Sequence, residues 1–80
     1  MAAVYRYRAT DGALLYIGAS RWPIDRIQQN WWTRGDPMRQ VAHVDIEWFG
    51  SFAEARAAEV AAIKAEDPPW NIASRIKVRS

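Results

Sequence analysis

The stretch AVYRYRATDGALLYIGAS, residues 3–20, determines the architecture, because it reads as two strands joined by a tight turn. Val4–Ala9 and Ala13–Ala19 are rich in apolar and aromatic residues, and they flank the pair Asp11-Gly12. This pair is a preferred two-residue hairpin turn. The stretch therefore predicts a β-hairpin.

A two-residue loop fixes which residues of the hairpin face each other. Tyr7 then faces Tyr16, and Tyr5 faces Gly18. Because side chains alternate along a strand, the three tyrosines share one face of the sheet. Gly18 has no side chain and leaves a gap in front of Tyr5, in which a ligand has room to approach. The tyrosines form either an aromatic cluster of the core or the lining of a binding site.

After the hairpin, the sequence predicts a helix and then a loop. Pro23 suits the first position of a helix. The segment PIDRIQQNWW, which it begins, repeats apolar residues at helical spacing, with Ile24, Ile27 and Trp31 on one side. Residues 33–40, TRGDPMRQ, contain glycine and proline and predict a loop.

Residues 43–49, HVDIEWF, alternate apolar and polar side chains, which predicts a half-buried strand. The residues predicted to face the core are Val44, Ile46 and Trp48. Trp48 and Trp70 are assigned to the core. Trp22 and Trp32 either pack at its rim or stack on unpaired bases of a nucleic acid.

A second helix is predicted over residues 51–67, which are rich in alanine. Ser51 and Glu54 have the spacing of a capping box, in which each residue hydrogen-bonds the other's backbone N–H. Pro68 and Pro69 end the helix.

Glu59 lies in the middle of the apolar face of this second helix. The apolar residues around it are Phe52, Ala55, Ala62 and Ile63. A buried carboxylate is costly unless it is paired with a cation or binds a metal ion. Glu59 is therefore either the partner of an arginine such as Arg26, or a metal ligand or acid–base group.

The composition describes one small domain rich in arginine. The chain has 80 residues, no cysteine and no long apolar run, which predicts a cytoplasmic protein outside membranes. Nine of its eleven basic residues are arginine, whose planar fork fits phosphate. The β-β-α-β-α order predicts an α/β domain of the α+β type over residues 1–80, in which helices flank a small antiparallel sheet of three strands. Its core spans about residues 3–73, and residues 74–80 form a basic tail.

The sequence resembles the GIY-YIG nuclease family at several positions in the same order. Ala3–Tyr5 lies in the GIY position, and Tyr16–Gly18, after ten intervening residues, matches YIG. The further positions that match are Arg26, Glu59 and Asn71. The resemblance covers about residues 3–73.

The resemblance implies an endonuclease that uses Mg²⁺ or Mn²⁺ to hydrolyse the phosphodiester backbone of DNA. The catalytic residues that it implies are Tyr5, Tyr16, Arg26 and Glu59. Glu59 would hold the metal ion through carboxylate oxygen, and Arg26 would bind a phosphate oxygen. Tyr5, or alternatively Tyr16, would position or deprotonate the attacking water. Asn71 would tie the end of the second helix to the hairpin.

The resemblance also predicts a DNA-binding surface. The sequence departs from the family pattern at one position of the site. The residues expected to contact DNA are Gly18, Arg21, Arg26 and Arg34. Asn30 stands where many members of the family carry histidine or another proton carrier. This residue favours an alternative, a catalytically weak nucleic-acid-binding module of the same fold. A third possibility is an interaction domain that uses its tryptophans as a contact face.

Overall fold

The computed structural model describes residues 1–71, so the predicted basic tail and the last two residues of the predicted core lie outside the described residues. Its main elements are strands β1 (Ala2–Arg8), β2 (Leu14–Ser20) and β3 (His43–Phe49) and helices α1 (Pro23–Arg34) and α2 (Phe52–Glu66). Short 3₁₀ helices occupy Asp36–Gln40, inside the predicted loop, and Pro69–Asn71. The strands form an antiparallel sheet in the order β2-β1-β3. The α+β fold and the β-β-α-β-α order predicted from the sequence are confirmed.

The turn of the hairpin is longer than predicted. The Ala9 N–H donates a hydrogen bond to the Ala13 carbonyl oxygen at 2.9 Å, so the loop is Thr10–Gly12 and not Asp11-Gly12 alone. Gly12 has a φ of 87°, the left-handed conformation that commonly completes a three-residue hairpin loop. A loop of this length shifts every strand pair by one residue relative to the prediction.

A β-bulge in β2 reverses this shift. The register changes between Tyr7 and Arg8, and Leu15 is the extra residue on β2. The pairs beyond the bulge are those predicted, Tyr7 with Tyr16 and Tyr5 with Gly18. The predicted facing of the tyrosines is therefore confirmed, although the predicted two-residue turn is wrong.

The sheet separates two apolar clusters, and the two helices lie on opposite faces of it. The cluster under α2 has as its buried members Ala2, Val4, Ile17 and Ala55. The cluster on the α1 side has as its buried members Tyr5, Tyr7, Leu15 and Met38. The central strand β1 contributes to both clusters because its side chains alternate between the faces. Every tyrosine of the chain thus lies on the α1 side.

Helix α1 begins at Pro23, as predicted, but its apolar residues are mostly not buried. Ile27 packs against the tyrosine side of the sheet, whereas Ile24 and Trp31 are 56% and 52% exposed. The side of α1 that faces the sheet carries Ile27 together with polar residues, which are described with the site below.

Strand β3 has the predicted bounds but is more exposed than a half-buried strand. It is an edge strand of the sheet, and helix α1 packs on the other two strands, β1 and β2. Val44 is 37% exposed and Trp48 is 52% exposed, while Ile46 is half-buried. The assignment of Trp48 to the core is therefore wrong, because the helix that covers this face of the sheet lies over β1 and β2.

Helix α2 ends as predicted and has half of the predicted capping box, because the Glu54 carboxylate bonds the Ser51 hydroxyl and not its backbone N–H. The Ser51 hydroxyl accepts a hydrogen bond from the Glu54 N–H and donates one to the Glu54 carboxylate, both at 3.2 Å. Asp67 has a φ of 49° and ends the helix immediately before Pro68. Within residues 1–71, neither α2 nor any other helix has the length and apolar character needed to cross a membrane.

Candidate active site

Three tyrosine rings pack together on the α1 side of the sheet. Ring centroids are 5.5 Å apart between Tyr5 and Tyr7, 5.4 Å between Tyr7 and Tyr16, and 6.2 Å between Tyr5 and Tyr16. The Trp70 ring meets Tyr7 edge-on at 6.3 Å. Tyr5 and Tyr7 are buried, whereas Tyr16 is half-buried and reaches solvent. The structure thus confirms the aromatic core cluster for Tyr5 and Tyr7, and it leaves Tyr16 accessible at the rim of that cluster.

Gly18 makes room for Tyr5 and not for a ligand. A β-carbon built on Gly18 would lie 2.5 Å from the Tyr5 hydroxyl oxygen and 2.9 Å from a ring carbon. The Tyr5 ring therefore fills the space that the sequence suggested was open. The predicted approach of a ligand between Gly18 and Tyr5 is wrong, because the facing side chain collapses into the gap and excludes solvent.

The close contact at Gly18 leads to a prediction about stability. The Gly18→Ala variant is expected to lose about 1–3 kcal/mol of unfolding free energy, because the added methyl group overpacks the buried Tyr5 ring. Chemical denaturation would measure the loss. Gly50→Ala is the matched control, because its β-carbon would meet only the flexible Glu54 carboxylate at 3.2 Å. Equal stability of the two variants would mean that Tyr5 moves aside without cost.

The two buried tyrosines keep their protons at neutral pH. Burial raises the pKa of the Tyr5 phenol, and the neighbouring Tyr16 and Tyr7 raise it further. Burial also raises the pKa of Tyr7, although a hydrogen bond from Asn30 lowers it. The Asn30 amide nitrogen donates to the Tyr7 hydroxyl oxygen at 2.7 Å. Tyr5 is therefore poorly suited to deprotonate water, the role that the resemblance first assigns to it.

Two arginines of α1 lie near the tyrosine cluster. Arg26 is exposed, and its charge lowers the pKa of both Tyr5 and Tyr7, though less than burial raises it. The Arg34 guanidinium carbon lies over the Tyr16 ring, 4.5 Å from its centroid. Helix α1 thus brings two cations to the side of the sheet that carries the tyrosines.

The arginines of the described chain divide into two groups by their partners. Each member of the first group lies within 4.0 Å of a carboxylate; these are Arg6, Arg8, Arg39 and Arg56. Over residues 1–71, no carboxylate pairs with the members of the second group, which are Arg21, Arg26 and Arg34. The second group contains the three arginines expected from the sequence to contact DNA. Their charges are free to meet an external anion.

Glu59 lies on the other side of the sheet from the tyrosines. It is 7% exposed, and its nearest cation is Arg56, whose Nη1 donates to the Glu59 Oε1 at 2.9 Å. Burial raises the pKa of this carboxyl, while Arg56 and a hydrogen bond from the Ala19 backbone lower it. Of the alternatives that the sequence left open, an ion pair is present, but the partner is Arg56 and not Arg26.

Glu59 and Tyr5 interact with consecutive residues of strand β2, which lies between them. Gly18 faces Tyr5 on the α1 side, whereas the backbone of Ala19 interacts with Glu59 from α2. The carboxylate and the phenol thus approach the same part of β2 from opposite faces. The structure brings Tyr5, Tyr16 and Arg26 to one side and leaves Glu59 on the other.

The donor set around Glu59 limits which metal ion it could hold. No cluster of three or more acidic, histidine or cysteine side chains suited to a metal is present within residues 1–71. Mg²⁺ is often bound by one or two carboxylates, with water and substrate phosphate as the remaining ligands, so a single glutamate is compatible with it. Arg56 occupies Oε1 of Glu59. A metal ion would therefore bind the other carboxylate oxygen or displace Arg56.

Asn71 joins the chain after α2 to the hairpin, as the resemblance implies. Its side chain is buried and forms two hydrogen bonds with the backbone of Ile17 in β2. The Ile17 N–H donates to Oδ1, and Nδ2 donates to the Ile17 carbonyl oxygen, both at 3.1 Å. Asn71 thus joins the chain after α2 to the strand that carries Tyr16 and Gly18.

The structure excludes one of the two alternatives given for Trp22 and Trp32, and it packs Trp70 against the tyrosine cluster, in line with its assignment to the core. Trp22 and Trp32 are 66% and 82% exposed, so they do not pack in the core or closely at its rim. Trp70 is half-buried and, besides meeting Tyr7, has the Arg34 guanidinium 5.8 Å from its ring centroid. The sequence assigned Trp70 to the core but did not predict its contacts with Tyr7 and Arg34. Its position next to Asn71 was the available signal.

Arg56 is a further residue near the site that the sequence analysis did not name, and Asn30 lies at the proton-carrier position that the resemblance points out. Asn30 follows Arg26 by four residues, which places both on neighbouring positions of α1. Arg56 precedes Glu59 by three residues, and this spacing favours an ion pair on a helix.

Comparisons of the sequence with protein-family models and with curated proteins find no match, so the resemblance to GIY-YIG nucleases rests on the positions named above.

Proposed function

We propose that this protein is a divalent-metal-dependent endonuclease of the GIY-YIG type that hydrolyses phosphodiester bonds of DNA. The observation that carries the proposal is that two arginines without carboxylate partners in residues 1–71, Arg26 and Arg34, lie beside the tyrosine cluster. Arg26 and Arg34 approach that cluster from α1, and over residues 1–71 nothing acidic neutralises them. This arrangement suits a phosphate, because its negative charge would neutralise the two arginines.

Arg26 has the role of binding the scissile phosphate. Its guanidinium is exposed and pairs with no carboxylate of residues 1–71, so it is available to a phosphate oxygen. An arginine in this position offsets the negative charge that grows on the phosphate oxygens as the attacking water adds.

Tyr16 is the tyrosine best suited to contact the attacking water, since it alone of the three reaches solvent. The Tyr5 ring packs against the Tyr16 ring. The Tyr5 phenol remains protonated, because burial raises its pKa. This assignment reverses the order that the resemblance gave to the two residues.

Glu59 would hold Mg²⁺ or Mn²⁺ through the carboxylate oxygen that Arg56 leaves free. When bound, the metal ion would supply charge stabilisation for the phosphate and the leaving oxygen. Glu59 approaches β2 next to Gly18, so the phosphate would have to lie at the outer edge of that strand to reach both the metal and Tyr16.

The Tyr16→Phe variant is expected to cleave DNA about 10- to 100-fold more slowly, because it loses one hydrogen bond to the reacting groups. The Tyr5→Phe variant is expected to lose less, since its hydroxyl is buried. Single-turnover nicking of a supercoiled plasmid would measure both rates, and thermal unfolding would establish that the variants fold. A larger loss from Tyr5→Phe would return the water-positioning role to Tyr5.

The alternative is a catalytically weak module that binds nucleic acid with the same arginines. Two observations favour it: the buried, filled space at Tyr5 and Gly18, and the ion pair between Arg56 and Glu59. The test is a nicking assay on a panel of duplex and branched DNAs with and without Mg²⁺ or Mn²⁺. Metal-dependent nicking supports the nuclease, whereas salt-dependent binding without nicking supports the module.

A further inference from the structure

We infer that Arg34 is a second phosphate-binding residue, whose guanidinium is oriented in advance by the rings of Tyr16 and Trp70. This inference deepens the proposed function and rests on it, because the phosphate belongs to the nucleic acid. It concerns binding of the DNA backbone and not the chemical step.

The aromatic contacts of Arg34 restrict its side chain. Its guanidinium carbon lies 4.5 Å from the Tyr16 centroid and 5.8 Å from the Trp70 centroid. Arginine stacks on aromatic faces while the N–H groups at its rim remain able to donate. Tyr16 belongs to the tyrosine cluster and Trp70 packs edge-on against Tyr7, so the two rings hold the cation beside that cluster.

The electrostatics of Arg34 are those of an anion-binding group. It is half-buried, and among the described residues no carboxylate lies within ion-pair distance. Its charge nevertheless reaches into the site, because it lowers the pKa of the buried Tyr7. A half-buried cation without an anionic partner gains more from binding phosphate than a fully solvated one.

The position of Arg34 relative to Arg26 suggests a division of roles. The two residues are eight positions apart on α1, about 12 Å along the helix axis. This separation exceeds one step of the DNA backbone, so the two arginines would contact different phosphates of one strand. Arg34 would therefore set the position of the strand, and Arg26 would act on the phosphate that is cleaved.

The experiment is an equilibrium titration of a short fluorescein-labelled duplex DNA, in EDTA and at several salt concentrations. Omitting metal separates binding from cleavage. We expect Arg34→Gln to bind about tenfold more weakly and to reduce the slope of log affinity against log salt by about 0.9, the value for one phosphate contact. We expect Arg34→Lys to keep the wild-type slope but to bind less tightly, because an ammonium group lacks the planar fork.

The control is Arg39→Gln, since Arg39 is 81% exposed and lies 3.7 Å from Asp36. The inference is overturned if Arg34→Gln has the affinity and slope of that control, or if Arg34→Lys binds as tightly as the wild type. A loss of affinity with an unchanged slope would also overturn it, because a merely structural role predicts that result. If the wild type shows no salt-dependent binding, the proposed function itself fails.

Discussion

The Glu59→Gln variant is expected to lose metal-dependent cleavage by about 10³-fold or more while it remains folded. Glutamine keeps the shape of the side chain and its ability to accept a hydrogen bond from the Ala19 backbone, but it removes the charge that would hold the metal ion. A metal ion supplies several kcal/mol of charge stabilisation to phosphoryl chemistry, which corresponds to this rate factor. Nicking of supercoiled plasmid with Mg²⁺ would measure the loss.

The pH dependence of stability tests whether Glu59→Gln acts through charge alone. Because burial raises the pKa of Glu59 above its ordinary value of 4.5, the native state favours the protonated carboxyl. This contribution to stability is fully present below pH 4.5 and is lost as the pH rises through the folded pKa. The wild type should therefore lose stability relative to Glu59→Gln over that interval.

Two results would contradict this account of Glu59. Normal metal-dependent cleavage by a folded Glu59→Gln variant would remove Glu59 from the metal site. Unfolding of the variant at neutral pH would identify the ion pair with Arg56 as a structural requirement. Arg56→Gln is the matched variant, because it breaks the same pair from the exposed side and leaves the carboxylate in place.

The Arg26→Ala variant is expected to cleave DNA about 10²-fold more slowly or worse, the usual cost of removing one group that stabilises transition-state charge. Its stability should change little, because Arg26 is exposed and pairs with no carboxylate of residues 1–71. Single-turnover cleavage with saturating enzyme would measure the chemical step apart from binding.

Arg39→Ala is the control for Arg26→Ala, since it removes the same charge from another exposed arginine, one that pairs with Asp36. A general loss of positive charge would weaken binding in both variants and leave the saturated rate unchanged. Equal saturated rates for the two variants would assign Arg26 to the general electrostatic surface of the protein.

The hairpin shows which features of the fold local sequence can predict and which it cannot. The pairs Tyr7 with Tyr16 and Tyr5 with Gly18 follow from a two-residue loop at Asp11-Gly12, and the structure has these pairs although it does not have that loop. The turn was wrong because a three-residue loop ending at Gly12 competes with the two-residue loop. The bulge at Leu15 then compensates, because only one register buries the tyrosines. Tertiary burial thus corrected what local turn chemistry left ambiguous.

The errors in the site have a common physical reason. Sequence spacing predicts which side of a strand or helix a residue occupies, but not how far a neighbouring element extends over it. Trp48 has the alternation of a core residue, yet α1 does not cover β3. Gly18 has the small size of a ligand gap, yet the facing Tyr5 ring fills it. In both cases the decisive quantity is the packing of a distant segment.

The two hydrogen bonds between Asn71 and Ile17 also affect which other chains the sheet can meet. β2 is an edge strand, and an exposed edge with free N–H and C=O groups is a template for strand addition and aggregation. The Asn71 amide takes both of the outward-pointing groups of Ile17, much as a neighbouring strand would. The Asn71 side chain therefore blocks intermolecular β-pairing at Ile17, and Glu59 occupies the backbone of the same strand at Ala19.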